Sequence, residues 1–132
     1  MKDLEFLLDT DILLEHLRRP KDGRPSVLEA LAGQGMCFTT VLNATELFLE
    51  ASNDIEKDAA FSVLSAINVL GIHQRYALQT PELRTITENV RDLLFLSVSA
   101  NNKLPVISFQ PEKYGGYAVP IPTELKGITY LK

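Results

Sequence analysis

The chain has 132 residues, 45% hydrophobic and 23% charged, with a single cysteine. This is the size of one ordinary domain and close to average globular composition, which excludes a disordered chain, a disulfide scaffold and a cysteine-built metal site. The net charge of −4, from 13 basic and 17 acidic residues, excludes a broad basic nucleic-acid surface and leaves room only for a local patch. The first eleven residues mix acids into a short apolar run, unlike a signal peptide. The longest apolar stretch, near 93–98, is too short for a membrane span. A cytoplasmic protein without membrane contact is expected.

Leu4, Phe6, Leu7 and Leu8 form an apolar run ending on Asp9, as a parallel strand buried on both faces would. Ile12, Leu13 and Leu17 then recur at helical spacing, with Thr10 or Asp11 placed to cap the first turn. Pro20, Gly23 and Pro25 break the chain. Ser26 to Ala32 predicts a second short helix, stopped by Gly33 and Gly35. Met36–Thr40 reads as the second strand, followed by a helix carrying Ala44, Leu47, Phe48 and Ala51 on one side. Ser52-Asn53-Asp54 interrupts that helix and caps the next, over about 55–67. Val69–Ile72 predicts a short third strand. Over 74–90 the pattern is weakest, and Pro81 forbids one continuous helix. From Val90 an almost wholly apolar helix runs to Asn101-Asn102-Lys103, with Ser97 and Ser99 as small packing residues. Strands are expected at 105–109 and 127–131, with loops around Gly115-Gly116, Pro120 and Pro122. Strands alternating with helices predict an α/β/α sandwich around a mainly parallel sheet.

Ligands of such sheets bind beyond the carboxyl ends of the strands. Asp9 ends the first strand, Glu46 lies in the first turns of the helix after the second, and Asp92 starts the apolar helix. All three can project into one crevice. Gathered there, they would repel one another and call for a cation. Oxygen-only ligands suit Mg²⁺ or Mn²⁺, which implies metal-assisted hydrolysis of a phosphate ester. Each acid also has a purely structural use, as a cap or as a favourable charge in a helix first turn. If the three meet uncompensated, Asp9→Asn leaves metal-free stability level or raises it.

Three segments together carry a resemblance. They are Phe6-Leu7-Leu8-Asp9-Thr10-Asp11-Ile12-Leu13-Leu14, Thr40-Val41-Leu42-Asn43-Ala44-Thr45-Glu46-Leu47, and Asp92 through Ser108. In that order the chain resembles PIN-domain proteins of the kind found as VapC toxins in toxin–antitoxin pairs. The resemblance implies a single PIN-like domain over 1–132 and a metal-dependent ribonuclease. Asp9, Glu46 and Asp92 would be its catalytic acids and would hold Mg²⁺ or Mn²⁺. Asp11, Thr10 and Ser108 would support them from behind. An RNA substrate, an antitoxin partner and a homodimer are implied in the same way. After its last strand the family usually reads Thr/Ser-x-Asn-x-x-Asp; here Ser108-Phe109-Gln110-Pro111-Glu112-Lys113 puts Gln110 and Lys113 in place of the Asn and the Asp. Glu112 stands one position away as a substitute, and Lys113 is a candidate phosphate contact.

Arg18, Arg19, Lys21 and Arg24 form a basic loop suited to RNA phosphates, or simply a solvated loop. Arg84 and Arg91 have the same two readings, and Arg91 beside Asp92 is also placed to pair with a carboxylate. His16 and His73 show no metal-ligand spacing, and His16 is expected on a helix surface. Cys37 is expected in the core. Two alternatives remain: a catalytically degraded PIN-like domain that binds RNA or protein, and a haloacid-dehalogenase-type phosphatase using Asp9-Thr10-Asp11.

Overall fold

The computed structural model describes residues 4–19 and 22–121; Lys21 and the strand expected at 127–131 lie outside them. Four strands, β1 (Leu4–Leu8), β2 (Gly35–Thr40), β3 (Asn68–Leu70) and β4 (Val106–Ile107), form a wholly parallel sheet in the order β3-β2-β1-β4. Helices cover both faces, so the expected three-layer sandwich is observed. Strand β1 shows why its run is apolar throughout. Phe6 and Leu8 point into one core, with Ile12, Leu13, Val27, Leu31 and Leu47, while Leu7 points into the other, with Phe95, Leu96, Val98 and Tyr114. Side chains of a strand alternate between faces, so a strand with cores on both sides has no polar position to spare.

The first core is closed by α1 (Thr10–Arg18), α2 (Val27–Ala32), α3 (Val41–Leu49) and α4 (Asp54–Ser65). The second lies under α5 (Gln74–Gln79) and α6 (Val90–Asn102). The caps follow from local chemistry. Ser26 and Glu29 close a reciprocal capping box on α2, Asn53 caps α4, and Asn89 caps α6. Helix α1 is capped by Asp9, whose carboxylate accepts from the Thr10 amide at 2.8 Å, and not by Thr10 or Asp11 as expected. Both of those residues lie inside the helix.

Gly35 pairs with Leu4 at the start of β2, and a Cβ there would stand 2.2 Å from the Leu4 carbonyl oxygen. Glycine is thus required by the close approach of two backbones, and it belongs to the strand rather than to a helix stop. Over 74–90, Pro81 opens a single 3₁₀ turn (Thr80–Leu83) after α5, so the residues form two short turns of helix. Ser97 and Ser99 do more than fill space. Their buried hydroxyls donate to the carbonyls of Tyr76 (2.7 Å) and Leu104 (2.6 Å), tying α6 to its neighbours. Helix α6 ends at Lys103 in the left-handed conformation (φ 53°). Strand β4 is shorter than the expected 105–109 because Ser108 and Phe109 turn away to bond Asp11.

Candidate active site

In the strand order 3-2-1-4, chain direction from β1 reverses between β2 and β4, and the crevice beyond β1 and β4 is where a parallel sheet of this kind takes ligands. Asp9 follows β1 there, at 4% exposure. Glu46 reaches it from the second turn of α3 and Asp92 from the first turn of α6, at 6% exposure. The three expected acids therefore line one open cleft of about 610 Å³, together with Thr10, Asp11, Gln110, Arg91 and Lys113.

They meet around a guanidinium. Arg91 Nη2 donates to Asp9 Oδ1 (2.6 Å) and Glu46 Oε1 (2.7 Å), Nε to Glu46 Oε2 (3.1 Å), and Nη1 to Asp92 Oδ1 (2.9 Å) and to the Tyr114 hydroxyl (2.9 Å). Lys113 Nζ stands 3.7 Å from Asp92 Oδ2. The cluster is thus charge-compensated by two cations, and the premise of three mutually repelling carboxylates does not hold in this arrangement.

Asp9 is the most heavily bonded of the three. Its Oδ1 accepts from the Thr10 amide, from Asn43 Nδ2 (3.3 Å) and from Arg91, and its Oδ2 accepts from the Tyr114 hydroxyl (2.5 Å). Asn43 is fully buried and is itself fixed by the capping box of α3. Its Oδ1 accepts from the Thr40 amide (3.0 Å) and hydroxyl (2.6 Å), and its Nδ2 also donates to Thr10 Oγ1 (3.0 Å). The Thr10 hydroxyl in turn donates to Glu46 Oε1 at 2.5 Å. A chain of donors thus runs from the end of β2 through α3 to the acids, and a capping box orients the site.

The titration behaviour follows. Burial acts to raise the Glu46 carboxyl, but hydrogen bonds from Arg91 and Thr10 and the Arg91 charge outweigh it and hold it below the ordinary glutamate value. Burial opposes the Arg91 charge, yet the bond to Glu46 and the charge and bond of Asp9 prevail, so the guanidinium is held protonated more firmly than in water. Burial, then the Asp9 charge, push the Tyr114 hydroxyl far up, so it remains a donor. Asp11 sits on the other side of the α1 first turn. Its Oδ2 accepts from the Ser108 hydroxyl and the Phe109 amide, both at 2.9 Å, while its buried Oδ1 has no hydrogen-bond partner. Burial, with the charge of Asp9, raises the Asp11 carboxyl above the ordinary aspartate value.

The remaining candidates are placed as follows. Glu112 is exposed, and the cleft wall at this point is Gln110 and Lys113. Arg18 is exposed and pairs with Glu50 (2.7 Å); with Arg19 it lines a neighbouring cleft of about 550 Å³. Arg19 pairs with Glu29, Arg24 with Asp22, and Arg84 with Glu88. His16 is half-buried rather than on the surface, its Nδ1 2.6 Å from the Ser26 hydroxyl, and burial lowers its pKa. His73 is exposed. Cys37 is in the core, where burial pushes its thiol up to about 11. Sequence reasoning missed Tyr114, which carries no periodic signal in its irregular segment, and the orienting role of Asn43, which is legible only as the third residue after a Thr cap.

A sequence profile of the PIN domain matches residues 6–112. The chain belongs to the PIN domain family. The phosphatase alternative, which requires a different family, falls away. No curated protein matches the chain in sequence. Among solved structures, this PIN domain is similar to a toxin–antitoxin complex from Klebsiella pneumoniae, at 19% identity over 89% of this chain and 98% of that one, with a TM-score of 0.71. It is similar to FitAcB from Neisseria gonorrhoeae, at 16% identity over 87% and 95% of the two chains and a TM-score of 0.67. VapBC2 from Rickettsia felis, bound to a DNA fragment from its promoter, matches at 16% identity over 89% and 97%, with a TM-score of 0.66. These likenesses show the fold.

Members of the family generally use divalent metal ions. The donor set of this PIN domain, three carboxylates, has the hard-oxygen chemistry that Mg²⁺ and Mn²⁺ require. Its centre is held by the Arg91 guanidinium, and among the described residues no group of three or more His, Cys, Asp or Glu side chains is placed to hold an ion. The chemistry of the donors fits the metal, and the positive charge among them in this arrangement is that of Arg91. Among the described residues no helix is long and apolar enough to cross a membrane.

Proposed function

We propose that this PIN domain is the toxin of a VapC-type toxin–antitoxin pair, a cytoplasmic endoribonuclease dependent on Mg²⁺ or Mn²⁺. The observation that carries the reading is the convergence of Asp9, Glu46 and Asp92, from three separate elements, on one cation at the carboxyl end of the sheet. Asp9 and Asp92 would hold the metal, with Glu46 binding directly or through water. When bound, the ion activates a water and offsets charge on the scissile phosphate. The chain's own residues position the acids. Asn43 and Tyr114 fix the Asp9 carboxylate, Thr10 fixes Glu46, and Ser108 holds Asp11 beside them. Lys113, half-exposed at the rim and 3.7 Å from Asp92, would meet an RNA phosphate, and Arg18, exposed beside Glu50, would extend that contact. An antitoxin partner and a homodimer accompany this reading.

A second reading has its own observation. With Lys113 where the family usually has an acid and Arg91 filling the pocket, the chain can be a PIN domain that binds RNA or protein without cutting. Cleavage of a mixed small-RNA pool with Mn²⁺ or Mg²⁺, beside EDTA and an Asp92→Asn control, separates the two. The nuclease reading expects metal-dependent cleavage that Asp92→Asn abolishes. No cleavage and no metal binding would leave the binding module.

A further inference from the structure

All five N–H groups of the Arg91 guanidinium are spent inside the carboxylate cluster. Nε is bonded to Glu46 Oε2; Nη2 faces Asp9 Oδ1, Glu46 Oε1 and Thr10 Oγ1; Nη1 faces Asp92 Oδ1 and the Tyr114 hydroxyl. A guanidinium offers five donors and no more, so the fork is saturated. The oxygens it takes are one from each of Asp9, Asp92 and Glu46, plus the second oxygen of Glu46. Asp9, Glu46 and Asp92 are the acids that would hold an ion. A divalent cation held by the same three acids would carry the same sign of charge as this largely buried guanidinium, and the two oppose each other.

The same side chain can leave. Arg91 is the second residue of α6, and Val90 before it is 72% exposed. Its side chain is 23% exposed along an open cleft, so it can swing into water by rotating its own torsions while the helix stays packed. Its placement over the Phe95 ring, 5.1 Å from the centroid, favours the inward position without locking it. Asp9, by contrast, has donors besides Arg91: the Thr10 amide, Asn43 and Tyr114. Asp9 is therefore fixed independently of Arg91's side chain, whose tip lies along the open cleft.

We propose that Arg91 is a built-in competitor for the metal: its guanidinium closes the carboxylate pocket of the metal-free chain and is displaced when a divalent ion enters. The proposal rests on the reading of this pocket as a metal site. Metal affinity is then set by the exchange of one cation for another, and the chain restrains its own site before any partner binds.

The test uses the full chain and reads binding, not cleavage. In ¹⁵N-labelled protein the Arg91 Nε–H resonance, assigned by its loss in Arg91→Lys, is followed during Mg²⁺ titration. It is expected to be protected in the metal-free protein and to move to a fast-exchanging position in proportion to the ion bound. Free Mn²⁺ is counted by electron paramagnetic resonance beside wild type, Arg91→Gln and Arg91→Gln/Asp92→Asn. Arg91→Gln is expected to bind Mn²⁺ at least about tenfold more tightly than wild type, and the double variant to lose the gain. Equal or weaker binding by Arg91→Gln, with Asp92→Asn still abolishing it, overturns the competition and leaves the metal site standing. So does an Arg91 resonance that stays protected with Mg²⁺ bound. Absence of Mn²⁺ binding in both wild type and Arg91→Gln overturns the metal site itself. If Arg91→Gln does not fold, the wild-type titration decides alone.

Discussion

Asp9 and Asp11, two residues apart at the start of α1, both line the acid cleft, Asp11 reaching the neighbouring one as well, and they meet opposite fates. Asp9 gives both its oxygens to donors brought from α3, α6 and the segment after β4, and a guanidinium balances its charge. Asp11 is held by Ser108 and the Phe109 amide, has one buried oxygen without a partner, and feels the charge of Asp9. Both side chains are reached by long-range contacts, and they differ because only the contact to Asp9 brings a charge: Ser108 and Phe109 give Asp11 neutral donors across 97 and 98 positions. Asp9 meets Arg91 across 82 positions of chain. The difference teaches that compensation, rather than the presence of acids, decides whether a carboxylate in this site stabilises the fold.

The sharpest way to break the comparison is Asp9→Asn. Removing one partner of a buried, hydrogen-bonded ion pair leaves the other charge poorly satisfied. Arg91 keeps Glu46 and Asp92, so the loss is expected near the low end for such pairs, about 2–3 kcal/mol at pH 7 in urea unfolding of the metal-free chain. This reverses the expectation of level or higher stability that follows from three uncompensated acids. A variant as stable as wild type would mean that Arg91 does not hold the cluster in solution.

Tyr114→Phe is next in size. It deletes the hydroxyl that donates to Asp9 Oδ2 and accepts from Arg91, and keeps the ring against Phe95 (centroids 5.3 Å apart). An expected loss of about 1–2 kcal/mol reflects a buried carboxylate oxygen without its donor. If the loss is absent while Asp9→Asn is costly, the compensation lies with Arg91 alone.

What the chain's pattern disclosed and what it hid divide along the same line. Strand β1 was legible because it is apolar on both faces, and Asp9, Glu46 and Asp92 because acids at strand and helix ends sit where a parallel sheet binds ligands. Local signals also placed the Ser26, Asn53 and Asn89 ends of helices within a residue or two. The compensating groups were hidden. Arg91 reads as a neighbour of Asp92, and nothing in the sequence says that it also reaches Asp9 and Glu46. Tyr114 lies in a 3₁₀ stretch without hydrophobic period, and Asn43 looks like an ordinary helix residue until Thr40 is seen to cap it. The short β4 could not be read either, since the residues after Ile107 are diverted by Asp11, a contact of 97 and 98 positions. Sequence periodicity reports burial; it does not report which polar group meets which.

The smallest expected effect sharpens the comparison most, because its sign is opposite. In Asp11→Asn the amide oxygen can keep the bonds from Ser108 and Phe109 while the unpartnered charge disappears. The folded-state carboxyl of Asp11 is raised, so the native state holds its proton to higher pH than the unfolded chain. The stability tied to that proton is fully present below the unfolded value of 3.8 and is lost as pH rises through the folded value. The amide mimics the protonated form, so Asp11→Asn should match wild type at low pH. Above that window it should be level or more stable, by roughly 0.2–1 kcal/mol once solvent screening is counted. Glu46→Gln is the mirror image. Its folded-state carboxyl is depressed, so its contribution is present above the unfolded value of 4.5 and is lost as pH falls through the folded one. The variant should be the less stable of the pair at pH 7, and the deficit should close on acidification. Urea midpoints of both variants from pH 3 to pH 7 give the two slopes. Slopes of the same sign would show that Asp11 meets a compensating cation in solution, and the contrast between compensated and uncompensated acids would then be lost.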